Sequence, residues 1–266
     1  MRLMDLQVEL ERWLMHAGPN RIAQPEALAT PLTAPGPLDL FEAPLVGVAS
    51  AADPLWGRLR APDVVGPHHL PPDAWVPGAR SVVAFFLPFT ARVREANRVP
   101  TETATEWLYG RYEGGFLVEA MAEALAAHLR ASGWRALVPV TDPRYAVQAM
   151  RANWSERHAA YIAGLGTFSL SRSLITRAGS AGRIGSVVTD APLPHTPRLY
   201  ETLDAYCGRC GACIPRCPAA AITEAGKEHG PCKVWQDGTL ARHQPRYGCG
   251  KCQTRTPCEH RIPVRR

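Results

Sequence analysis

The run C-G-R-C-G-A-C-I-P-R-C-P spans residues 207–218 and places cysteines at 207, 210, 213 and 217, with proline at 218. This C-x2-C-x2-C-x3-C-P spacing belongs to proteins that carry two iron–sulfur clusters. Its first three thiolates wrap one cube, and the fourth, before the proline, turns to another. A lone C-x2-C would leave zinc, a redox dithiol and a cluster open. Structural zinc sites pair two C-x2-C units and do not need the third and fourth positions. The run therefore predicts one-electron transfer.

The remaining cysteines are Cys232, Cys249, Cys252 and Cys258. Two [4Fe–4S] clusters require about eight thiolates, and the chain has 8. The spacing predicts that Cys207, Cys210 and Cys213 are completed by Cys258, and that Cys217 joins Cys232, Cys249 and Cys252. Cys258 follows Cys252 at a wider gap than usual, with proline before it, so a free thiol beside a three-cysteine site stays open for it.

Working outward, 266 residues with 46% hydrophobic content can bury a core in one large domain or two smaller ones. The 25 prolines and 22 glycines imply many turns. The opening residues carry Asp5, Glu9 and Glu11 where a secretory leader needs an apolar run. No apolar stretch is long enough to span a bilayer. The expected location is the cytoplasm, where thiols stay reduced. The formal charge of +6 treats cysteines as neutral. Thiolates with two clusters add roughly −4 and leave about +2, which weakens any case for a nucleic-acid surface. The end R-I-P-V-R-R reads as a solvated tail.

Leu3, Leu6, Leu10, Trp13/Leu14 and Ala17 predict an amphipathic first helix stopped by Gly18-Pro19. Residues 25–44 read as a proline-rich loop and 44–50 as a buried strand. A further loop covers 53–80, where His68-His69 reads as exposed, with a paired metal site as the alternative. The segment 81–89, SVVAFFLPF, predicts the strongest strand. Thr103-x-x-Glu106 reads as a capping box opening a helix to about Leu129, with a kink or break at Gly114-Gly115. Residues 135–140 read as a strand. Asn153-x-x-Glu156 opens another helix that closes near Gly164-Leu165-Gly166. The segments 173–179 and 183–191 read as a hairpin. The predicted class is α+β, with an α/β body over 1–199 and a cysteine-rich ferredoxin-like module over 200–266.

Within 154–190, A-G-L-G (163–166) is followed by a polar loop, L-I-T (174–176), a glycine-rich turn and G-S-V-V-T-D (185–190). With the cysteine run, this arrangement resembles the epoxyqueuosine reductases and, more distantly, the corrinoid-binding core of reductive dehalogenases. P-L-V-G-V-A (44–49), P-G-A-R-S-V-V (77–83) and Y-G-R-Y (109–112) extend the likeness over most of 40–260. The resemblance implies a nitroreductase-like body holding base-off cobalamin beside two [4Fe–4S] clusters. The clusters would deliver electrons to cobalt, whose strongly reducing Co(I) state acts on the substrate. It further implies that Ala163, Gly164, Leu165 and Gly166 line the corrin, with Ser171, Arg172, Ser173 and Leu174 on the next turn. A ferredoxin or flavodoxin would be the external donor.

Three departures qualify the likeness. The family's helical-repeat extension after the clusters, which helps hold tRNA, has no counterpart here, so a small molecule or other modified nucleoside competes with tRNA as substrate. The slot of the family's catalytic aspartate falls near Met150. The family's lysine- and asparagine-bearing loop reads G-T-F-S-L-S-R-S (166–173), where Arg172 could supply the charge. Candidate proton donors are Asp142, Glu156 and Tyr109. The competing readings are a turn residue for Asp142, a helix cap for Glu156 and amphipathic packing for Tyr109 with Tyr112, which flank Arg111. Other functions stay open: a dicluster electron carrier, or a protein that handles a corrinoid without turning over a substrate. Flavin, for which no phosphate motif is present, ranks behind cobalamin.

Overall fold

The computed structural model describes residues 3–16, 20–99 and 102–264. The first helix, α1 (Leu3–His16), buries Leu6, Leu10 and Leu14 at a spacing of one turn. Ala17, the stop expected at Gly18-Pro19, and Arg265 and Arg266 of the tail lie outside the described residues. The proline-rich crossing is irregular apart from Leu38–Asp39, which pairs with Arg21–Ile22. It wraps the start of the long helix through hydrogen bonds from Leu28 N and Thr30 N to Thr105 Oγ1.

Strand β1 (Leu45–Ser50) and strand β2 (Ser81–Pro88) form antiparallel neighbours. All eight residues of β2 are buried. Branched and aromatic side chains suit such a strand because both of its faces must be covered. Its alternation divides the core. Val83, Phe85 and Leu87 enter the cluster under helix α2 (Thr105–Ala131). Val82, Ala84 and Phe86 face a second cluster built on Trp56, Trp75 and Trp154. The two-residue strand β3 (Ala136–Leu137) follows α2, then helix α3 (Glu156–Ile162). Two short strands, β4 (Gly166–Phe168) and β5 (Leu174–Thr176), pair with each other, and β6 (Gly182–Thr189) completes the main sheet. The order is β1-β2-β6-β3, with every pairing antiparallel. That is a mixed α and β architecture, as predicted. Helix α4 (His229–His243) lies within the cysteine-rich segment.

Several local expectations are overturned, each by a longer-range partner. Helix α2 starts after Ala104, and no side chain caps it. Thr103 Oγ1 instead donates to Gly248 O, and Glu106 Oε1 accepts from Thr33 N and Thr33 Oγ1 at 2.7 and 2.8 Å. The Gly114-Gly115 pair does not break α2, which runs unbroken for 27 residues. Gly114 is a point of close approach to the core: a Cβ there would lie 2.8 Å from Phe41 Cζ. Segment 135–140 contributes only two strand residues before a 3-10 turn at Pro139–Thr141. Asn153 does not cap α3, whose N-cap is Ser155. Its amide bonds Ala146 N and Arg144 O. The 173–191 hairpin does not form. β5 pairs with β4, while β6 pairs with β2 and β3. The amides of Ser180 and Ala181 are committed to the carbonyls of Cys258 and Glu259, which separates the two strands.

His69 also corrects its expectation. It is 1% exposed and stacks on Trp154 at 6.0 Å, and neither ring nitrogen has a hydrogen-bond partner. His68 is half-buried, with Nε2 3.2 Å from Arg151 O.

The cysteine-rich segment is bound to the body by buried polar contacts. Asn97 Nδ2 donates to Cys249 O, and Arg98 holds the buried Glu259 carboxylate through Nε and Nη2. Gly250 has φ 65°, and a Cβ there would sit 1.9 Å from Trp107 Cζ2, so only glycine fits.

Candidate active site

The cysteine run folds as successive tight turns. Cys207 N donates to Asp204 O, Ile214 N to Gly211 O and Cys217 N to Ile214 O. Left-handed backbone at Arg209 and Gly211 reverses the chain between cysteines. Cys232 comes from α4, while Cys249 and Cys252 bracket the turn at Lys251. The sulfurs collect donors, as cluster-bound sulfurs do: Ala221 N lies 3.2 Å from Cys217 Sγ, Gln236 Nε2 3.4 Å from Cys232 Sγ, and Ser180 Oγ 3.8 Å from Cys258 Sγ.

All eight cysteines are free thiols. Their mutual electrostatics fall largely into two groups. Cys258 feels Cys207 and Cys210, and Cys213 feels Cys258 and Cys207. Cys252 feels Cys232 and Cys217, and Cys249 feels Cys252 and Cys232. One cross-term, between Cys213 and Cys252, sets the groups side by side. Burial first, then these neighbours, push Cys213 up to about 12, and burial likewise pushes Cys249 up to about 12. Thiols so placed ionise readily only around a cationic centre. Among the described residues no three His, Cys, Asp or Glu side chains close on a single ion. A cuboidal cluster does not require that, since each thiolate takes a different iron. The donor set thus fits two clusters.

Between these thiols and the main sheet lies a cavity of about 1570 Å³. It exceeds the ~300–1,000 Å³ usual for drug-sized ligands. Cys207, Cys217, Cys232, Cys249 and Cys252 line it, together with the start of β6, the start of α3 and the loop 169–174. The volume and the adjoining thiols fit a corrinoid-sized group beside the clusters.

The cavity lining also includes Trp154, Tyr145 and Glu156. Glu156 is the first residue of α3, and neither carboxyl oxygen has a hydrogen-bond partner. Burial drives its pKa from 4.5 up to about 7. The nearby Ser186 hydroxyl lowers it only in part; that hydroxyl accepts from Trp154 Nε1 at 3.0 Å and makes no regular hydrogen bond to the acid. Burial, then the charges of Glu156 and Glu119, raises Tyr145. Burial also holds His158 neutral, at about 4.

A search of family models found no match. A curated epoxyqueuosine reductase from Pseudomonas aeruginosa is 29% identical over 162 residues, covering 57% of this chain and 40% of that protein. Among solved structures, an epoxyqueuosine reductase crystallised with an epoxyqueuosine-modified tRNA stem loop aligns with TM-score 0.55 and 20% identity. The alignment covers 81% of this chain and 61% of that one. A reductive dehalogenase, described with a mechanism for B12-dependent dehalogenation, aligns with TM-score 0.56 and 16% identity over 98% of this chain and 37% of its own. The chain is epoxyqueuosine reductase-like. It spans about two fifths of the curated relative's length and about three fifths of the stem-loop-bound structure.

In this epoxyqueuosine reductase-like chain the expected corrin-lining residues separate into two groups. Ser171, Arg172, Ser173 and Leu174 line the cavity. Ala163, Gly164, Leu165 and Gly166 do not; they pack behind it. A Cβ on Gly47 would meet Ala163 O at 2.3 Å, and one on Gly166 would meet Ile175 O at 2.1 Å. Those glycines seat β4 against β5 and the 163–165 turn against β1.

Of the three candidate acids, Asp142 and Tyr109 are used elsewhere. Asp142 accepts from Arg144 Nε, Nη2 and N at 2.8–3.0 Å, and Arg144 holds its carboxyl below the usual range. Tyr109 is buried in the α2 core, where its hydroxyl accepts from Glu26 N and Arg246 covers its ring at 4.3 Å. Only Glu156 reaches the cavity wall. Sequence reasoning missed Tyr145, Arg157 and Arg183, which stand in no motif; only the fold brings them together.

Proposed function

We propose that this chain is an iron–sulfur, corrinoid-dependent reductase of the epoxyqueuosine-reductase-like kind. The observation that carries the reading is the large cavity lined both by five of the eight cysteines and by Glu156, whose carboxyl burial pushes up to about 7. In this reading Cys207, Cys210, Cys213 and Cys258 hold one [4Fe–4S] cluster, and Cys217, Cys232, Cys249 and Cys252 the other. They form a ferredoxin-like unit from about residue 200 on a nitroreductase-like body. Ser171, Arg172, Ser173 and Leu174 would contact the corrinoid. When bound, the clusters supply single electrons and the corrinoid a strongly reducing metal centre.

The chain's own residues exclude water and hold a proton. Trp154 and Phe86 give part of the cavity wall an apolar surface. Glu156 keeps its proton at the carboxyl near neutral pH, so it is the group placed to deliver one. Reducing an epoxide to an alkene consumes two electrons and two protons and releases the oxygen as water, so a proton source beside the cavity is a requirement. A cytoplasmic setting and a ferredoxin or flavodoxin donor complete the proposal. Among the described residues no helix is long and apolar enough to cross a membrane. The test is single-turnover reduction of epoxyqueuosine, free and in a tRNA stem loop, by the cluster- and cobalamin-loaded chain. Turnover of either supports the reading; full cofactor loading with turnover of neither redirects it to another substrate.

A further inference from the structure

Three guanidinium groups line the same cavity. Arg111 comes from α2, Arg157 from α3 and Arg183 from the start of β6. Among the described residues none of the three is in an ion pair, and none of their side chains donates a hydrogen bond. This contrasts with Arg58, Arg94, Arg98, Arg135, Arg144 and Arg246, each paired with a carboxylate. Arg157 is exposed and lines the cavity. Arg157 and Arg183 each feel Arg111, and Arg183 also feels Arg157. Burial, then this repulsion, pulls Arg183 down to about 9. Cys232 and Cys252 offset Arg157 from the cluster side; Glu119 and Tyr247 act on Arg183 only from beyond contact distance.

The groups are held in place without being neutralised. Arg111 Cζ lies 4.7 Å from the Tyr247 ring centroid. Arg183 Nη2 lies over Gly115, where a Cβ would come within 3.3 Å of it. Three partly exposed like charges whose donors meet no protein acceptor favour an anion that enters the cavity and shares them, and planar guanidinium groups suit the paired oxygens of a carboxylate or phosphate.

We propose that Arg111, Arg157 and Arg183 form an oxyanion subsite that receives a carboxylate or phosphate group of the substrate. This deepens the reductase reading and rests on it only in naming the ligand a substrate. Isothermal titration calorimetry of the cluster-loaded full chain with inorganic phosphate and with benzoate tests it. At least one probe is expected to bind, and Arg111→Gln and Arg183→Gln each to weaken it at least tenfold, with no change for Arg58→Gln at the cavity rim. If either glutamine variant loses iron, Gly115→Ala, which crowds Arg183 without removing its charge, is expected to weaken binding instead. Absence of binding by the unaltered chain, or unchanged affinity in the variants, would overturn the proposal. So would loss of anion binding on adding cobalamin, which would assign the arginines to the cofactor's own phosphate. Cobalamin uptake is followed separately by its absorption, so its failure counts against the corrinoid reading alone.

Discussion

The Lys251 ammonium is anchored on Asn97. Nζ donates to Asn97 O at 3.2 Å and Asn97 Oδ1 at 3.1 Å, and further to Val99 O at 2.8 Å and Glu102 O at 2.6 Å. Lys251 is 1% exposed and lies between Cys249 and Cys252. Asn97 is the other half of the junction: its Nδ2 reaches Cys249 O and its Oδ1 accepts from Ala104 N at the start of α2. A buried cation with its full complement of acceptors thus fixes the cysteine turn to the body.

Lys251→Met keeps the stem volume but leaves several carbonyls without their donor. Each orphaned buried acceptor costs about 1–3 kcal/mol, so a loss of about 3 kcal/mol or more is expected. Chemical denaturation should show it, with iron content falling because Cys249 and Cys252 lose their support. Unchanged stability and iron would mean the cage is incidental.

Glu156→Gln separates the acid from the other titrating groups. The folded carboxyl has a pKa near 7 against an ordinary 4.5. The native state therefore binds more protons than the unfolded chain between those values, and stability falls as pH rises through this window. The contribution present below 4.5 and gone above 7 is on the order of 3 kcal/mol. The difference in stability between the native chain and Glu156→Gln should follow that slope. A flat difference from pH 4.5 to 7.5 would show that the acid is not held protonated.

His69→Phe should stabilise the fold. The ring is buried against Trp154 with both nitrogens unpartnered, and removing an unsatisfied buried polar group recovers about 1–3 kcal/mol. Burial, then His68 and Arg60, lowers its pKa from 6.5 to about 4. The wild-type contribution is thus full above 6.5 and lost as pH falls through 4. The advantage of phenylalanine should therefore widen from pH 7 to pH 4 in thermal melts; a narrowing gap would contradict the assignment.

Cys258→Ser tests the pairing of the tail with the first three cysteines. Cys258 lies with Cys207, Cys210 and Cys213 in the electrostatic grouping. Iron should fall by about half, from about eight to about four per chain, with one cluster signal retained. Full iron would return Cys258 to the role of a bystander thiol.

The features that residues decide locally were readable in advance. Strand 81–88 is apolar on both faces because both faces are covered, and the cysteine spacing is the basis of the proposed cluster pattern. What escaped reading is tertiary. Thr103 and Glu106 have the letters of a capping box, but Gly248 and Thr33 claim their side chains. Ser180 and Ala181 sit where a hairpin turn should be, but the carbonyls of Cys258 and Glu259 take their amides. Helical spacing alone could not tell Tyr109, buried in the core, from Arg111, which faces the cavity. The Arg111–Arg157–Arg183 grouping has no linear signature at all.

The most direct test is anaerobic purification of the chain with cobalamin supplied, followed by iron, sulfide and cobalt analysis with an absorption spectrum. The reductase account expects about eight iron and one cobalt per chain, since the two proposed cubane clusters would border a corrinoid-sized cavity. Full iron with no cobalt, the cavity taking up flavin or nothing, would contradict it and favour an electron carrier or a flavin enzyme.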